Sequence, residues 1–297
     1  MYESSTLMLA YANLMKKFRE AISLGFLLLL CSPSFAEDAF LSQKDCEIVR
    51  SFEDASNIRF AEDFVQSVHK STNCLGETVG GECRHNVKRW PFDMVIADVG
   101  TEYLTSDELS QKFSATIEES LDLVTRQTPV KHFYSLNEKV KGIIYYQIIE
   151  ESELQIDFDE YMETFIAPRE WGFVLQRRSL FREFMRDDVA SCMELSQSSN
   201  AGRIGISTIW IKSDVSEAEL VQCIITGTFN AFGLGDSEDS LSFMKSDIDD
   251  KSYVTGISEI GLLKLRLLYS DKVVAGMNED RTHDAIDSLL SSSCGPN

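Results

Sequence analysis

Residues 223–236 read CIITGTFNAFGLGD, and Ser216 stands a little upstream with Glu217 and Glu219 just behind it. A hydroxyl and two carboxylates in that order suit the positive end of a helix, which needs a cap and favours negative charge. The middle of the segment is apolar, and Gly233-Leu234-Gly235 supplies a stop. The pattern predicts a helix over 217–232. Immediately before it, RIGISTIWIKSD (203–214) alternates β-branched residues and predicts a strand. This strand–turn–helix unit is the frame for the rest.

The spacing within the helix raises a chemical question. A zinc peptidase carries His-Glu-x-x-His on such a helix: two imidazoles one turn apart bind the metal, and the intervening carboxylate polarises the attacking water. With the glycine that follows the pattern set on Gly233, the first ligand position is Thr226, the base is Gly227 and the second ligand is Asn230. A hydroxyl and a carboxamide are poor zinc ligands, and glycine has no side-chain proton acceptor. The four histidines, His69, His85, His132 and His283, are scattered with no pair four apart. The sequence therefore predicts no zinc site, no catalytic residue and no cofactor at this helix.

Cys223, Ala231, Gly233, Leu234 and Phe243, followed by Leu268, Tyr269 and Met277, resemble the C-terminal half of an exported bacterial family, domain of unknown function 2927. Asp236 fits that pattern one place early. The strand before the helix and KRW at 88–90 extend the similarity over about residues 86–278. The family resembles zincin metallopeptidases in helix and strand order. The resemblance implies a zincin-like α+β (α/β-like) domain, a small mixed sheet packed on helices. This chain departs from the family where the family reads Glu-Glu and Gln, at Thr226-Gly227 and Asn230. Chemistry ascribed to that pair does not carry over.

Outward from the helix, FDMVIADV (92–99) and GIIYYQII (142–149) predict two further strands. TSDELSQKFSATIEESLDLVTRQ (105–127) predicts a long helix, with a capping box at Thr105 and Glu108 and an apolar stripe at Leu109, Phe113, Ile117, Leu121 and Val124. SEIGLLKLRLLYS (258–270) and THDAIDSLL (282–290) predict two later helices. LQRRSLFREFM (175–185) reads as helical or mixed. Between Glu37 and Lys70, Phe60, Phe64 and Val68 recur every four residues, a helical segment preceding the main domain. The expected organisation is a signal over 1–36, a helical segment and loop over 37–85, the zincin-like domain over 86–278, and a short helix and tail over 279–297.

The signal rests on Lys16, Lys17 and Arg19, an apolar run from Ile22 to Leu30, and small residues Ser34 and Ala36 before a cut after Ala36. Met15 is then the natural start. The apolar run is too short to span a bilayer, so no membrane span is expected after cleavage. Export to a bacterial periplasm or beyond makes disulfides available. Of 7 cysteines, Cys31 leaves with the signal. Cys74 and Cys83 flank a glycine-rich loop, Cys192 and Cys223 bracket one helix–strand–helix unit, and Cys46 and Cys294 remain to tie the ends. No Cys-x-x-Cys occurs, which argues against a metal cluster. The net charge of −20 repels nucleic acid and anionic lipid. The partner expected is a protein or peptide.

Other chemistry is thin. Glu118 and Glu119 sit mid-helix and read as a solvated face rather than an acid–base pair. GDSEDS (235 onward) and KSDIDDKS (245 onward) are oxygen-rich, but neither has the spacing of a calcium loop. Trp90, Trp171 and Trp210 read mainly as core anchors. The sequence as a whole predicts a disulfide-stabilised pseudopeptidase that binds rather than cleaves, with carboxylate- or ion-based hydrolysis as the competing reading.

Overall fold

A computed structural model describes residues 41–71, 83–84, 86–91, 94–100, 107–133, 142–149, 184–186, 190–235, 244–246 and 254–295. The signal, Cys74, His85, Thr105, Trp171, Asp236, Phe243 and the two oxygen-rich loops lie outside them, as does nearly all of 175–185. The described elements are α1 (Gln43–Ser56), α2 (Phe60–His69), β1 (Lys70–Ser71), β2 (Cys83–Arg84), β3 (Met94–Gly100), α3 (Asp107–Gln127), β4 (Lys131–Phe133), β5 (Ile143–Ile149), β6 (Cys192–Ser198), β7 (Ile204–Lys212), α4 (Glu217–Ala231), β8 (Met244–Ser246), β9 (Val254–Ile257), α5 (Glu259–Leu268) and α6 (Glu279–Cys294).

Five strands form one mixed sheet in the order β4-β3-β5-β7-β6. Four run parallel, and only the edge strand β6 is antiparallel, joined to β7 by a short hairpin. The α+β class and mixed sheet agree with the sequence reading. The β6 strand was not anticipated, because CMELSQS is short and only Met193 and Leu195 mark its buried face.

The long helix α3 buries Phe113, Ile117, Leu121 and Val124 completely, the stripe expected from their spacing. Each such side chain removed from water contributes roughly 1.5–3 kcal/mol. Its neighbour α4 lies on the sheet, and Lys112 and Glu217 face each other at 3.7 Å across the two helices. On the α4 side, the strands present Ile144 and Tyr146 from β5, Ser207 and Ile209 from β7, and Cys192 and Glu194 from β6, which the ladder registers place on one face. The opposite face carries a smaller cluster of Ile149, Phe184, Met193, Leu195 and Trp210.

The N-terminal helices share the main core. Phe60, Phe64 and Val68 cluster with Leu265, Leu268 and Ile286. Asp63 pairs with Lys264, whose ammonium also donates to Ser67 Oγ at 2.9 Å. Two of the cysteine pairs named above are present as disulfides. Cys46–Cys294 fastens α1 to α6, and Cys192–Cys223 fastens β6 to α4. Among the described residues no helix is long and apolar enough to cross a membrane.

Candidate functional site

Ser216 caps α4 as its sequence implies, with Glu219 completing a reciprocal capping box. At the other end, Gly233 takes φ +94°, and a Cβ there would lie 2.1 Å from the Lys88 carbonyl oxygen. Only glycine fits a left-handed turn so close to another backbone. The last carbonyls of α4 are capped from elsewhere in the chain. Trp90 Nε1 donates to Ala231 O at 2.9 Å, and Tyr269 Oη donates to Phe232 O at 3.2 Å. Tyr269 also accepts from the Trp90 backbone N–H at 3.1 Å, and burial pushes its phenol far above the usual range. Arg89 Nη1 donates to Leu268 O, Ser270 O and Val273 O at 3.1, 3.0 and 2.6 Å, closing the end of α5. Met277 O accepts from Val87 N at 2.9 Å. Residues 88–90, 231–233, 268–269 and 277 thus form one knot.

The two sides of α4 differ. Its sheet side is closed. A Cβ on Gly227 would approach Ile209 Cγ2 to 2.7 Å, so the glycine lets the helix rest on β7. Thr228 donates to Ile224 O at 2.6 Å, which leaves Tyr146 Oη to donate to Thr228 Oγ1 at 2.9 Å. A carboxylate at position 227 would have to displace Ile209 from the core.

The other side is set by Cys223. At about 100° per residue, Glu219, Cys223, Thr226 and Asn230 share one helix face. The disulfide to Cys192 turns that face toward β6, and Ser191 Oγ donates to Glu219 Oε1 at 3.1 Å along the same seam. Thr226 and Asn230 are half-buried. Thr226 spends its hydroxyl proton on Gln222 O at 2.8 Å. Asn230 Oδ1 is buried with no hydrogen-bond partner among the described residues.

Below this face lies a polar group that the sequence did not single out. Glu194 on β6 accepts from the hydroxyls of Ser196 and Ser207, the second at 2.5 Å. Lys88 is half-buried beside it. Burial lowers the Lys88 ammonium from its ordinary range, and attraction to Glu194 offsets part of that effect. Lys88 was legible only as part of KRW, and Glu194 only as a polar position in the alternation of β6.

Glu118 and Glu119 are exposed on α3. His69 is buried against Thr282 Oγ1 at 2.9 Å. His132 lies near Asp122 at 3.7 Å, and burial holds its imidazole below the usual range. His283 faces Asp287 at 3.5 Å. Trp90 and Trp210 are core residues. Among the described residues no three His, Cys, Asp or Glu side chains gather as a metal site. No family model, curated protein or solved structure matches the chain.

Proposed function

We propose that this chain is an exported, metallopeptidase-like domain that binds a polypeptide in the seam between α4 and β6 without cleaving it. The observation that carries the reading is the pairing of position and chemistry on α4. The face bearing Thr226 and Asn230 is turned toward an edge strand and is tied there by a disulfide. Thr226 and Asn230 are poor zinc ligands, and the base position, Gly227, is closed against Ile209. Export accords with two disulfides in the chain.

Purified protein incubated with a mass-encoded peptide library, with added zinc and again with chelator, tests the reading. The expected result is peptide retention without cleavage in both conditions. Zinc-dependent cleavage would restore the peptidase reading. Cleavage that survives chelation would favour the competing hydrolase, with carboxylates as the reacting groups.

A further inference from the structure

Lys88 and Asn230 are two unmet hydrogen-bonding groups of opposite sense. Among the described residues, the Lys88 ammonium makes no hydrogen bond or ion pair, and its nearest charged influence is Glu194. Asn230 Oδ1 is an acceptor with no donor. Leaving the covered Asn230 oxygen unpaired costs about 1–3 kcal/mol, whereas the half-buried Lys88 ammonium is open to solvent or to a ligand.

The backbone brings the two together. Lys88 O lies against Gly233, and Gly233 N donates to Asn230 O at 2.9 Å. Residues 87–89 run extended, with Val87 bonded to Gly276 and Met277, and Arg89 bonded to Gly202 and Ile204. In an extended chain Lys88 and Trp90 project to one side and Arg89 to the other. Trp90 marks the shared side by reaching Ala231 O under α4, and Arg89 confirms the opposite one by reaching the end of α5. Lys88 thus points under the end of α4 toward Glu194, while Asn230 faces β6 from above.

We infer that Lys88 and Asn230 clamp one backbone peptide group of the bound polypeptide, the lysine donating to its carbonyl oxygen and Asn230 Oδ1 accepting its N–H. A peptide group is the common chemical unit that offers an acceptor and a donor together. It needs no net charge, which suits a site where Glu194 already offsets Lys88 and the chain carries −20 overall. The Lys88 ammonium then holds the carbonyl by hydrogen-bond donation alone. It supplies a hydrogen bond and no activated water, so the held bond stays intact. Asn230 Oδ1 is covered, and rotation about the broad terminal torsion of the side chain turns the carboxamide toward a ligand.

This inference rests on the polypeptide-binding reading, and the test separates the two. The probe is a fluorescent pool of linear peptides blocked at both ends, titrated into the purified full chain and followed by anisotropy. The variants are Lys88→Met, which keeps the stem, Lys88→Arg, which keeps a donor, and Asn230→Ala. Glu118→Gln on the exposed face of α3 is the control. We expect wild type and Glu118→Gln to bind alike, Lys88→Met and Asn230→Ala each to weaken binding about tenfold, and Lys88→Arg to retain most of it. Wild-type binding with no loss in either variant overturns the clamp and leaves the seam as the binding surface. No binding by wild type overturns both. If a variant melts early, the side-chain amide resonance of Asn230 in the wild-type chain decides. A shift on adding peptide supports the clamp, and an unmoved resonance rejects it.

Discussion

Two inward-turned lysines divide the molecule. In the helical layer, Lys264 is fully buried, paired with Asp63 and hydrogen-bonded to Ser67, with the Phe52 ring 5.8 Å away. At the end of the sheet, Lys88 is half-buried and reaches no partner directly among the described residues. Burial lowers the pKa of both ammonium groups. The first region uses its cation to join α2 to α5, and removing either member strands the other charge in the core. The second leaves its cation available. Asp63 and Ser67 account for Lys264, and the proposed clamp accounts for Lys88.

The largest effect that can break this contrast is on stability. Lys264→Met should cost about 3–5 kcal/mol in urea unfolding, because Asp63 is left as a buried unpaired carboxylate. Lys88→Met should change stability by less than about 1 kcal/mol, since no direct partner is lost. Equal losses would show that Lys88 is structural and that the two regions do not differ.

The disulfides sharpen the same comparison, one in each region. Replacing both cysteines of a pair by serine should cost about 2–5 kcal/mol. Cys46–Cys294 closes a separation of 248 residues and Cys192–Cys223 one of 31. Loop-closure entropy predicts that loss of the first costs about 1–2 kcal/mol more. Thermal melts of the two double-serine variants measure it. A larger loss at Cys192–Cys223 would mean that the seam holds strongly cooperative structure rather than an adaptable groove.

A smaller effect probes the closed side of α4. Gly227→Ala gains about 1 kcal/mol in helix propensity but drives a Cβ into Ile209. The clash should prevail, for a net loss of about 1–2 kcal/mol. Adding Ile209→Ala removes every clashing atom, so the double variant should lose less than the sum of the two single losses. A stabilised Gly227→Ala would show that α4 does not rest on β7 at this point.

The smallest effect is a pH dependence. Lys88 is depressed in the folded state relative to its ordinary pKa of 10.5, so within that window the unfolded chain binds the extra proton. Wild type should therefore gain stability relative to Lys88→Met as pH rises toward 10.5, and the difference should stay flat below the folded pKa. His132 moves the same way lower on the scale. Its depressed pKa means that wild type loses stability relative to His132→Gln as pH falls below 6.5. A trend of opposite sign in either pair contradicts the burial assigned to that group.

The fold was legible where local and global signals agreed. Ser216 caps its helix, the 203–214 alternation makes β7, and the α3 stripe is fully buried. The edge strand β6 escaped because a short Met-Glu-Leu-Ser alternation resembles many loops, although Asn200 and Gly202 behind it mark the hairpin turn. The C-terminal helix runs longer than THDAIDSLL suggested, and its serine-rich end is held by Cys294. The packing partner of Phe60, Phe64 and Val68 was also hidden, since a stripe gives a face and not what covers it. At the site, Thr226, Gly227 and Asn230 could be read from spacing alone. Lys88 and Glu194 could not, because a lysine and a glutamate 106 positions apart read as surface charges until tertiary contacts turn them inward.

The most direct test of the central claim puts a benzophenone side chain in place of Thr226 and, separately, in place of Glu118. Each protein is irradiated with the blocked peptide pool, and the adducts are mapped. The account predicts peptide adducts from position 226 and none above background from position 118. Equal labelling from both, or labelling from 118 alone, would contradict the claim that the Cys223 face of α4 is where this protein meets its ligand.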